Sequence, residues 1–304
     1  MTVAIGSNNV EIISGLSGVP GTEQRFYHSD EKSIYALPTD SDEFDRLEKQ
    51  HRLILHLFNG PISSPEVKHR LESGEPLKIL DVGCGPGSWA KQVAKEFPNA
   101  IVHATDFVEC FKPEEKVEVD FDQGNVLSSL PYQDGTFDLV HMRFFTGALK
   151  KQEWEVATRE ILRVTKSGGW VQMVEPDGEL RSQSEEVSEI LNDWNRRGMR
   201  GSLEKRGGDP LAGIRLETFL RSAGSGSVRI LTRSAPMAER YQGDELGALM
   251  KHDYLSLVST LAPVLCITWG ISSEEMVEWG SKVVKECERL KAFHNFVTAV
   301  AQKP

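Results

Sequence analysis

The chain has few cysteines, no long apolar run and no excess of basic residues. Its 304 residues contain four cysteines and no C-x-x-C pair, so a secreted domain stapled by disulfides is not expected. No stretch approaches the 18 apolar residues of a membrane span, and the N-terminus lacks the basic region and apolar core of a signal peptide. We therefore expect no membrane contact and a reducing compartment, the cytoplasm or the nucleus.

The charge balance is acidic, with 35 Lys and Arg against 45 Asp and Glu and a net charge of −10. Nucleic-acid-binding proteins usually present clustered Lys and Arg, and no such cluster is visible. Nucleic acid is therefore not an expected partner. An apolar fraction of 39% is typical of a folded chain, and the length suits one large domain with an insertion.

From residue 77 onwards, short apolar segments alternate with helical segments. The predicted strands are 77–82, 101–106, 117–122, 137–143, 170–175, 228–232 and 293–301. This alternation predicts an α/β fold of the doubly wound, Rossmann-like kind, with helices on both faces of a mostly parallel sheet. Ligands of such sheets bind at the carboxyl ends of the strands.

The remaining segments are predicted from caps, breakers and composition. Residues 1–23 are rich in Gly, Ser and Asn and are expected to form a flexible arm. A helix capped by Asp40 or Ser41 is expected to run to Phe58. Further helices are predicted at 65–73, 89–97, 151–165, 183–200, 214–223, 244–265 and 273–290, with a glycine-rich loop at 201–213.

A glycine-rich turn follows the first predicted strand, with Gly83, Gly85 and Gly87 in G-x-G-x-G spacing. Residues without a Cβ let the backbone turn sharply and approach a ligand, although a tight connection without a ligand would use them as well. The spacing differs from the G-x-G-x-x-G of dinucleotide sites, and Pro86 lacks an amide hydrogen. A nicotinamide or flavin site is therefore disfavoured, and without G-K-[ST] a Walker loop is excluded.

Two further strand ends carry residues suited to a nucleoside. Asp106 ends the second strand, where its carboxylate can accept hydrogen bonds from both ribose hydroxyls; alternatively it caps the turn before Phe107. Phe107, the next residue, is a further candidate to contact the cofactor. Asn125 follows the third strand and can accept a hydrogen bond from an adenine amine, while Val126 packs on the ring. An ordinary turn Asn is the alternative.

Together these motifs resemble the class I S-adenosylmethionine-dependent methyltransferases. The segments around 130–140, 161–169 and 170–176 extend the resemblance, which covers about residues 77–177. Tyr35-Ala-Leu-Pro, Gln50-His51, Met142-Arg143-Phe144 and the C-terminal residues more narrowly resemble fungal methyltransferases of secondary metabolism. That group includes a global regulator of metabolite clusters.

The resemblance implies a seven-stranded sheet whose last strand is antiparallel. It implies a helical lid at 24–76 and a methyltransferase domain at 77–304 with helical cap insertions at about 180–224 and 240–290. S-adenosylmethionine is then the cofactor, S-adenosylhomocysteine the product, and no metal is required. An aromatic residue of the lid contacts the cofactor in many members, and Tyr27 and Tyr35 are the candidates here, with ordinary packing as the alternative.

Methyl transfer is a displacement at a sulfonium carbon, so the alignment of the reactants is the protein's main contribution. Asp81 and the carbonyls of Gly83 and Met142 are placed to stabilise the sulfonium, although Asp81 has the alternative of holding loop amides. Arg143 is a candidate to bind an anionic substrate or to pair with a carboxylate. The candidates for a general base are His28, His252, Glu175 and Asp177; His141 lies within a strand and is expected to be a core residue.

The expected function is methylation of a small, apolar metabolite on oxygen, nitrogen or carbon. Two alternatives stay open: a methyltransferase-like regulatory protein that acts through protein partners, and a non-methylating enzyme of the same fold. A homodimer is also left open.

Overall fold

The computed structural model describes residues 33–239 and 243–304. The predicted arm at 1–23, the first residues of the predicted lid, Tyr27 and His28 lie outside the described residues. The described strands are β1 (Lys78–Val82), β2 (Ile101–Asp106), β3 (Asp120–Gln123), β4 (Phe137–Arg143), β5 (Thr165–Arg181), β6 (Val228–Pro236) and β7 (Phe293–Gln302). They form one sheet in the order β3-β2-β1-β4-β5-β7-β6.

Parallel pairing joins β3, β2, β1, β4 and β5, whereas β7 runs antiparallel to both of its neighbours. The predicted Rossmann-like α/β fold with an antiparallel last strand is therefore confirmed. The chain leaves β1 in one direction toward β2 and β3, and later in the other toward β4 and β5. This reversal places a topological switch point between β1 and β4, where ligands bind in open α/β sheets.

The described helices surround the sheet. They are α1 (Ser41–Phe58), α2 (Pro65–Glu72), α3 (Ser88–Glu96), α4 (Trp154–Val164), α5 (Glu189–Arg197), α6 (Met199–Lys205), α7 (Ala212–Ser222), α8 (Glu245–Trp269) and α9 (Ser273–Arg289). A 3₁₀ turn at Phe145–Gly147 follows β4. The predicted cap explains where α1 begins, because the Asp40 side chain accepts a hydrogen bond from the Glu43 amide.

Several predicted boundaries were wrong. β3 begins at Asp120, three residues later than predicted. β5 begins directly after α4 and continues past Pro176 to Arg181, because a bulge between Pro176 and Leu180 lets it keep pairing with β7. The predicted loop at 201–213 contains most of α6, and the predicted helix at 183–200 is divided at Gly198. A side chain there would collide with the Trp194 carbonyl oxygen, at 2.6 Å from a Cβ.

The core lies on both faces of the sheet and under the helices around β5 and β7. On one face Ile79 and Leu139 pack against α3, and on the other Leu80 and Val140 pack against α4 and α7. A third cluster joins α1, α5, α8 and α9 over the far part of the sheet. Apolar burial of this kind is the main stabilising term of such a fold, and it fixes the strand ends that carry the polar residues.

No single helix within the described ranges has the length and apolar character needed to cross a membrane. The pair Glu245–Trp269 and Ser273–Arg289 meets that criterion only when both helices are counted together across a bend of 118°. Among the same residues, no group of three or more His, Cys, Asp or Glu side chains is arranged to hold a metal ion.

Candidate functional site

The glycine-rich turn lies between β1 and α3. Gly83, Gly85 and Gly87 have φ angles of 67°, 54° and 87°, in the left-handed region that L-residues with a side chain rarely adopt. The turn therefore needs glycine at these positions whether or not a ligand binds. α3 starts at Ser88, so its first amides point toward the same edge of the sheet.

Asp106 lies against this turn, as predicted. Its Oδ2 accepts a hydrogen bond from the Gly85 amide at 2.8 Å, and its Oδ1 accepts one from the Val108 amide at 2.9 Å. Asp106 therefore caps the following turn, which was the alternative prediction, and it also contacts the glycine-rich turn. A carboxylate offers about four acceptor positions, so the same oxygens can also accept from a ligand's hydroxyl groups. The neighbouring Phe107 side chain is 43% exposed.

Main-chain hydrogen bonds tie the third loop to the first two. The Gly83 amide donates to the Thr105 carbonyl at 2.8 Å, and the Gly124 amide donates to the Asp106 carbonyl at 2.9 Å. Next to them, the Asn125 side-chain oxygen accepts from the Leu127 amide at 2.9 Å, which is the turn role that was the alternative for this residue. The loops after β1, β2 and β3 therefore form one connected edge; the adenine contacts of Asn125 and the buried Val126 stay predictions.

Aromatic rings cover two of the three glycines. A Cβ on Gly83 would lie 2.4 Å from the Phe145 ring, and a Cβ on Gly87 would lie 2.3 Å from the Phe111 ring. At Gly85 the nearest atom would be a Leu47 methyl at 3.8 Å. The glycines thus admit close aromatic packing as well as a sharp turn, and the backbone at Gly85 has the most room for a ligand. Sequence patterns assign Leu47 and Phe111 only to packing, so they were not predicted at the site.

Asp81 is a buried carboxyl group on β1, with 2% of its surface exposed. Burial raises its pKa to about 7, and the positive charge of Arg143, followed by a hydrogen bond from the Ala90 amide, partly opposes that shift. Its Oδ2 has no hydrogen-bond partner within the described chain. The amide that Asp81 holds is that of Ala90 in the first turn of α3 and not an amide of the glycine-rich loop; a role beside a sulfonium stays a prediction.

Arg143 ends β4 on the same face of the sheet as Asp81. Its Nη1 donates to Nδ1 of His51 on α1, at 3.1 Å, and no carboxylate of the described residues is within ion-pair distance of it. Burial lowers the pKa of Arg143. Burial, together with the positive charge of Arg143, lowers the pKa of His51 to about 2. The described residues therefore do not show the ion pair with a carboxylate that was one of the two predictions for Arg143.

Glu175 and Asp177 do not face an open site. Glu175 is fully buried and accepts hydrogen bonds from the amides of Phe145 and Thr146 and from the Thr146 hydroxyl, at 2.7–3.0 Å. Burial raises its pKa to about 7. Asp177 accepts from Arg181 at 2.5 Å. The expectation that these carboxylates face substrate was wrong, because each is engaged in holding the main chain or a neighbouring side chain.

Three other candidates are placed away from the turn. His252 is exposed, and its Nε2 is 2.9 Å from Nζ of Lys49. Lys49 and Leu47 are two positions apart on α1 and so point in roughly opposite directions, which puts His252 on the far side from the turn. The Met142 side chain is fully buried in the opposite face of the sheet, so only its carbonyl remains a candidate. His141 is a core residue as expected, and its ring stacks on that of Trp89 with the ring centroids 3.9 Å apart.

The segment before and along α1 covers this edge. Tyr35 lies close enough to Asp106 that the carboxylate's charge contributes to raising the tyrosine pKa, after burial and Glu43. α1 in turn is joined to α8 through buried charges: Arg46 donates to Glu43 at 2.6 Å and to Asp253 at 2.7 Å. Gln50 also donates to Asp253, at 3.2 Å. No sequence pattern predicted this cluster, because Asp253 is 207 residues from Arg46 and 203 from Gln50 in the chain.

Comparison with known proteins agrees with this geometry. Residues 79–169 match the sequence profile of a family described as a methyltransferase domain. The chain is 34% identical over 160 residues to the secondary metabolism regulator laeA of Coprinopsis cinerea, which covers 50% of this chain and 38% of that protein. It is 37% identical over 138 residues to the methyltransferase str3 of Strobilurus tenacellus, covering 45% of this chain and 47% of that protein.

The chain thus spans about half the length, or less, of these curated relatives. Among solved structures, a phosphoethanolamine N-methyltransferase 2 of Haemonchus contortus in complex with S-adenosyl-L-methionine superposes with a TM-score of 0.45 at 18% identity, over 84% of this chain and 57% of that one. Residues 79–169, which match the methyltransferase-domain profile, contain the glycine-rich turn, Asp106 and Asn125. Residues 79–169 are therefore similar in sequence to a methyltransferase domain, as their motifs predict.

Proposed function

We propose that the chain binds S-adenosylmethionine at the glycine-rich turn and transfers its methyl group to a small, apolar metabolite. The observation that carries this proposal is the hydrogen bond between the Gly85 amide and the Asp106 carboxylate. It fixes an acidic group beside a turn with room for a ligand, at the switch point of the sheet. The residues present fit the cofactor: the Asp106 carboxylate lies against the glycine-rich turn, and the buried Asp81 Oδ2 has no hydrogen-bond partner among the described residues.

Each part of the cofactor has a candidate neighbour. Asp106 would accept from the ribose hydroxyls, Asn125 and Val126 would contact the adenine, and Tyr35 would pack from the lid side. When bound, the cofactor supplies a methyl group on a positively charged sulfur. The carboxylate of Asp81 would lie near that charge, and an adjacent positive charge favours its ionised form.

The protein's contribution to the reaction is alignment. Glu175 and Asp177 are committed to structural hydrogen bonds, and His252 is on the far side of α1. This arrangement favours an acceptor whose nucleophile needs little activation, such as a neutral amine or a carboxylate. Holding two reactants in line contributes several kcal/mol to such a displacement.

The experiment is a transfer assay with methyl-labelled S-adenosylmethionine and an extract of fungal metabolites. We expect label in small molecules with the wild-type protein, and a loss of at least about tenfold with Asp106→Ala, since a charge-assisted hydrogen bond contributes about 1.5–3 kcal/mol. Arg52→Ala, which removes an exposed ion pair on α1, serves as the matched control. Label in small molecules at the same rate in the Asp106→Ala variant would contradict the proposed site.

A second candidate is a regulatory protein that binds the cofactor and acts on protein partners. The name of the Coprinopsis cinerea relative, a secondary metabolism regulator, favours it. The structural hydrogen bonds that occupy Glu175 and Asp177 also favour this second candidate. The same assay separates the candidates: intact binding of S-adenosylhomocysteine with label only in protein, or with no label transferred, supports the regulator.

We further propose that the protein works in a reducing compartment, the cytoplasm or the nucleus. The four cysteines, Cys84, Cys110, Cys266 and Cys287, are all free thiols, which is compatible with it. Fractionation of cells that express the tagged protein tests this part.

A further inference from the structure

The four residues 144–147, which we call the β4 turn, place two successive aromatic rings against two different parts of the molecule. The Phe145 ring packs on the glycine-rich turn, since a Cβ on Gly83 would lie 2.4 Å from it. The Phe144 ring packs with the cluster that joins α1, α5, α8 and α9, at right angles to Phe296 with the ring centroids 6.1 Å apart. The conformation of the β4 turn therefore determines how a ring meets Gly83.

Phe144 reaches this arrangement in a strained backbone conformation. Its φ and ψ angles are 60° and 30°, in the left-handed region that a bulky aromatic residue rarely adopts. Asn59 and Lys291 also have positive φ angles, but they lie at the ends of α1 and α9, where that conformation is common. Strain of this kind persists only where the surrounding contacts hold it. Phe144 ends a strand instead, so its neighbours must supply those contacts.

The carboxylate of Glu175 supplies them. Its Oε1 accepts a hydrogen bond from the Phe145 amide at 2.7 Å, and its Oε2 accepts from the Thr146 amide at 3.0 Å and from the Thr146 hydroxyl at 2.7 Å. Glu175 is fully buried, and hydrogen bonds to a charged acceptor are the stronger kind. Both oxygens are used, so a side-chain amide in their place would turn an N–H group toward one of these donors.

Asp177, two residues further along β5, is a matched carboxylate whose donors lie elsewhere. It is also buried, and it accepts from the Glu179 amide at 3.2 Å and from Arg181 at 2.5 Å. Both of these donors belong to β5, whereas all three donors to Glu175 belong to the β4 turn. A role of Glu175 at the glycine-rich turn can therefore be separated from a general contribution to folding.

We propose that Glu175 is a positioning residue for the cofactor: by holding the β4 turn, it keeps the Phe145 ring on Gly83 and maintains the shape of the glycine-rich turn. The proposal rests on the proposed function, because the turn that is maintained is the proposed cofactor site. The effect of Glu175 passes through Phe145, whose ring reaches the glycine.

The first test compares the Kd of S-adenosylhomocysteine for the wild type, Glu175→Gln and Asp177→Asn by calorimetry, with the urea unfolding midpoint of each. Glu175→Gln should raise the Kd at least about tenfold, whereas Asp177→Asn should lower the midpoint and leave the Kd near that of the wild type. An unchanged Kd in Glu175→Gln, or an equal rise in both variants, would overturn the positioning role. Absence of binding by the wild type would overturn the proposed function and this role with it.

Thr146 offers a milder test that does not require Glu175→Gln to fold. Thr146→Ser keeps the hydroxyl that donates to Glu175, whereas Thr146→Val removes it at similar size. We expect Thr146→Val to raise the Kd at least about threefold, and Thr146→Ser to restore the value of the wild type. The same Kd in both variants would contradict the proposal.

A double-mutant cycle tests the route through the ring. It compares Phe145→Ala, Glu175→Gln and their combination, with Thr146→Val as the second member if Glu175→Gln does not fold. If Glu175 acts through Phe145, the second substitution has little further effect on the Kd once the ring is absent. Effects that multiply in the combined variant would show that Glu175 does not act through Phe145.

Discussion

The two sides of the candidate site are built in different ways. At the ends of β1, β2 and β3 the contacts are between main-chain amides and one carboxylate, and Gly85 and Asp106 are only 21 residues apart. On the side of α1 and α8 the contacts are buried side-chain charges, and Arg46 and Asp253 are 207 residues apart. The first kind of construction depends on local motif residues, whereas the second depends on how distant helices meet. We therefore expect substitutions at the two sides to differ in what they damage, binding on one and folding on the other.

The largest effect on stability is expected on the α1–α8 side. Arg46→Met leaves Glu43 and Asp253 buried without their cation, which should lower the free energy of unfolding by about 3–5 kcal/mol. Urea unfolding followed by circular dichroism measures this.

The matched control is Arg52→Met, whose ion pair with Glu245 is exposed and should contribute less than about 1 kcal/mol. A triple substitution that also replaces Glu43 and Asp253 with apolar residues should recover much of the loss, since no buried charge remains. Equal losses for Arg46→Met and Arg52→Met would mean that the buried cluster does not stabilise the α1–α8 contact.

The glycine-rich turn offers a comparison within itself. Both Gly83→Ala and Gly85→Ala place a side chain at positive φ, which costs about 1–2 kcal/mol. Only Gly83→Ala also collides with the Phe145 ring, and such overpacking adds about 1–3 kcal/mol. Urea unfolding should therefore rank Gly83→Ala as the more damaging change.

Combining Gly83→Ala with Phe145→Ala tests the cause. The two changes should be non-additive, because the second removes the ring that the new methyl group meets. Strict additivity would mean that the ring is not in contact with the turn.

The third effect is smaller and depends on pH. Burial raises the pKa of Asp81 to about 7 in the folded chain, against about 3.9 when exposed. Between these values the folded state holds a proton that the unfolded state has released. The free energy of unfolding therefore falls with rising pH, by up to about 1.4 kcal/mol per pH unit from this group.

Asp81→Asn removes this contribution. The variant should gain about 1–3 kcal/mol over the wild type between pH 5 and pH 7, measured by unfolding at several pH values. A difference between the two proteins that does not change with pH would contradict the buried, protonated state of Asp81.

The sequence predicted the local side of the site well. The turn, Asp106 and the succession of strands and helices along the chain follow from short motifs and from the hydrophobic pattern, because each depends on residues close in the chain. The capped start of α1 at Asp40 was predicted for the same reason.

The other side could not be predicted, because nothing local distinguishes its residues. Asp253 is one acidic residue of a helix, next to His252, and only the packing of α1 on α8 shows that Asp253 is buried and His252 exposed. Glu175 and Asp177 end a strand at the expected edge. Even so, the hydrogen bonds from Phe145, Thr146 and Arg181 that occupy them come from main-chain geometry and from a strand longer than predicted.

Calorimetric titration of S-adenosylhomocysteine into the wild-type protein and into Asp106→Asn tests the central claim most directly. Asparagine preserves the shape of the side chain but removes its charge and one acceptor oxygen. We expect micromolar or tighter binding by the wild type and an increase in Kd of at least about tenfold in the variant. The new amide nitrogen cannot accept from the Gly85 or Val108 amide as the carboxylate oxygen does, so the urea unfolding midpoint should also fall, and the Kd values are compared under conditions where both proteins are folded. Equal Kd values for two equally folded proteins would show that Asp106 and the turn beside it do not form the cofactor site.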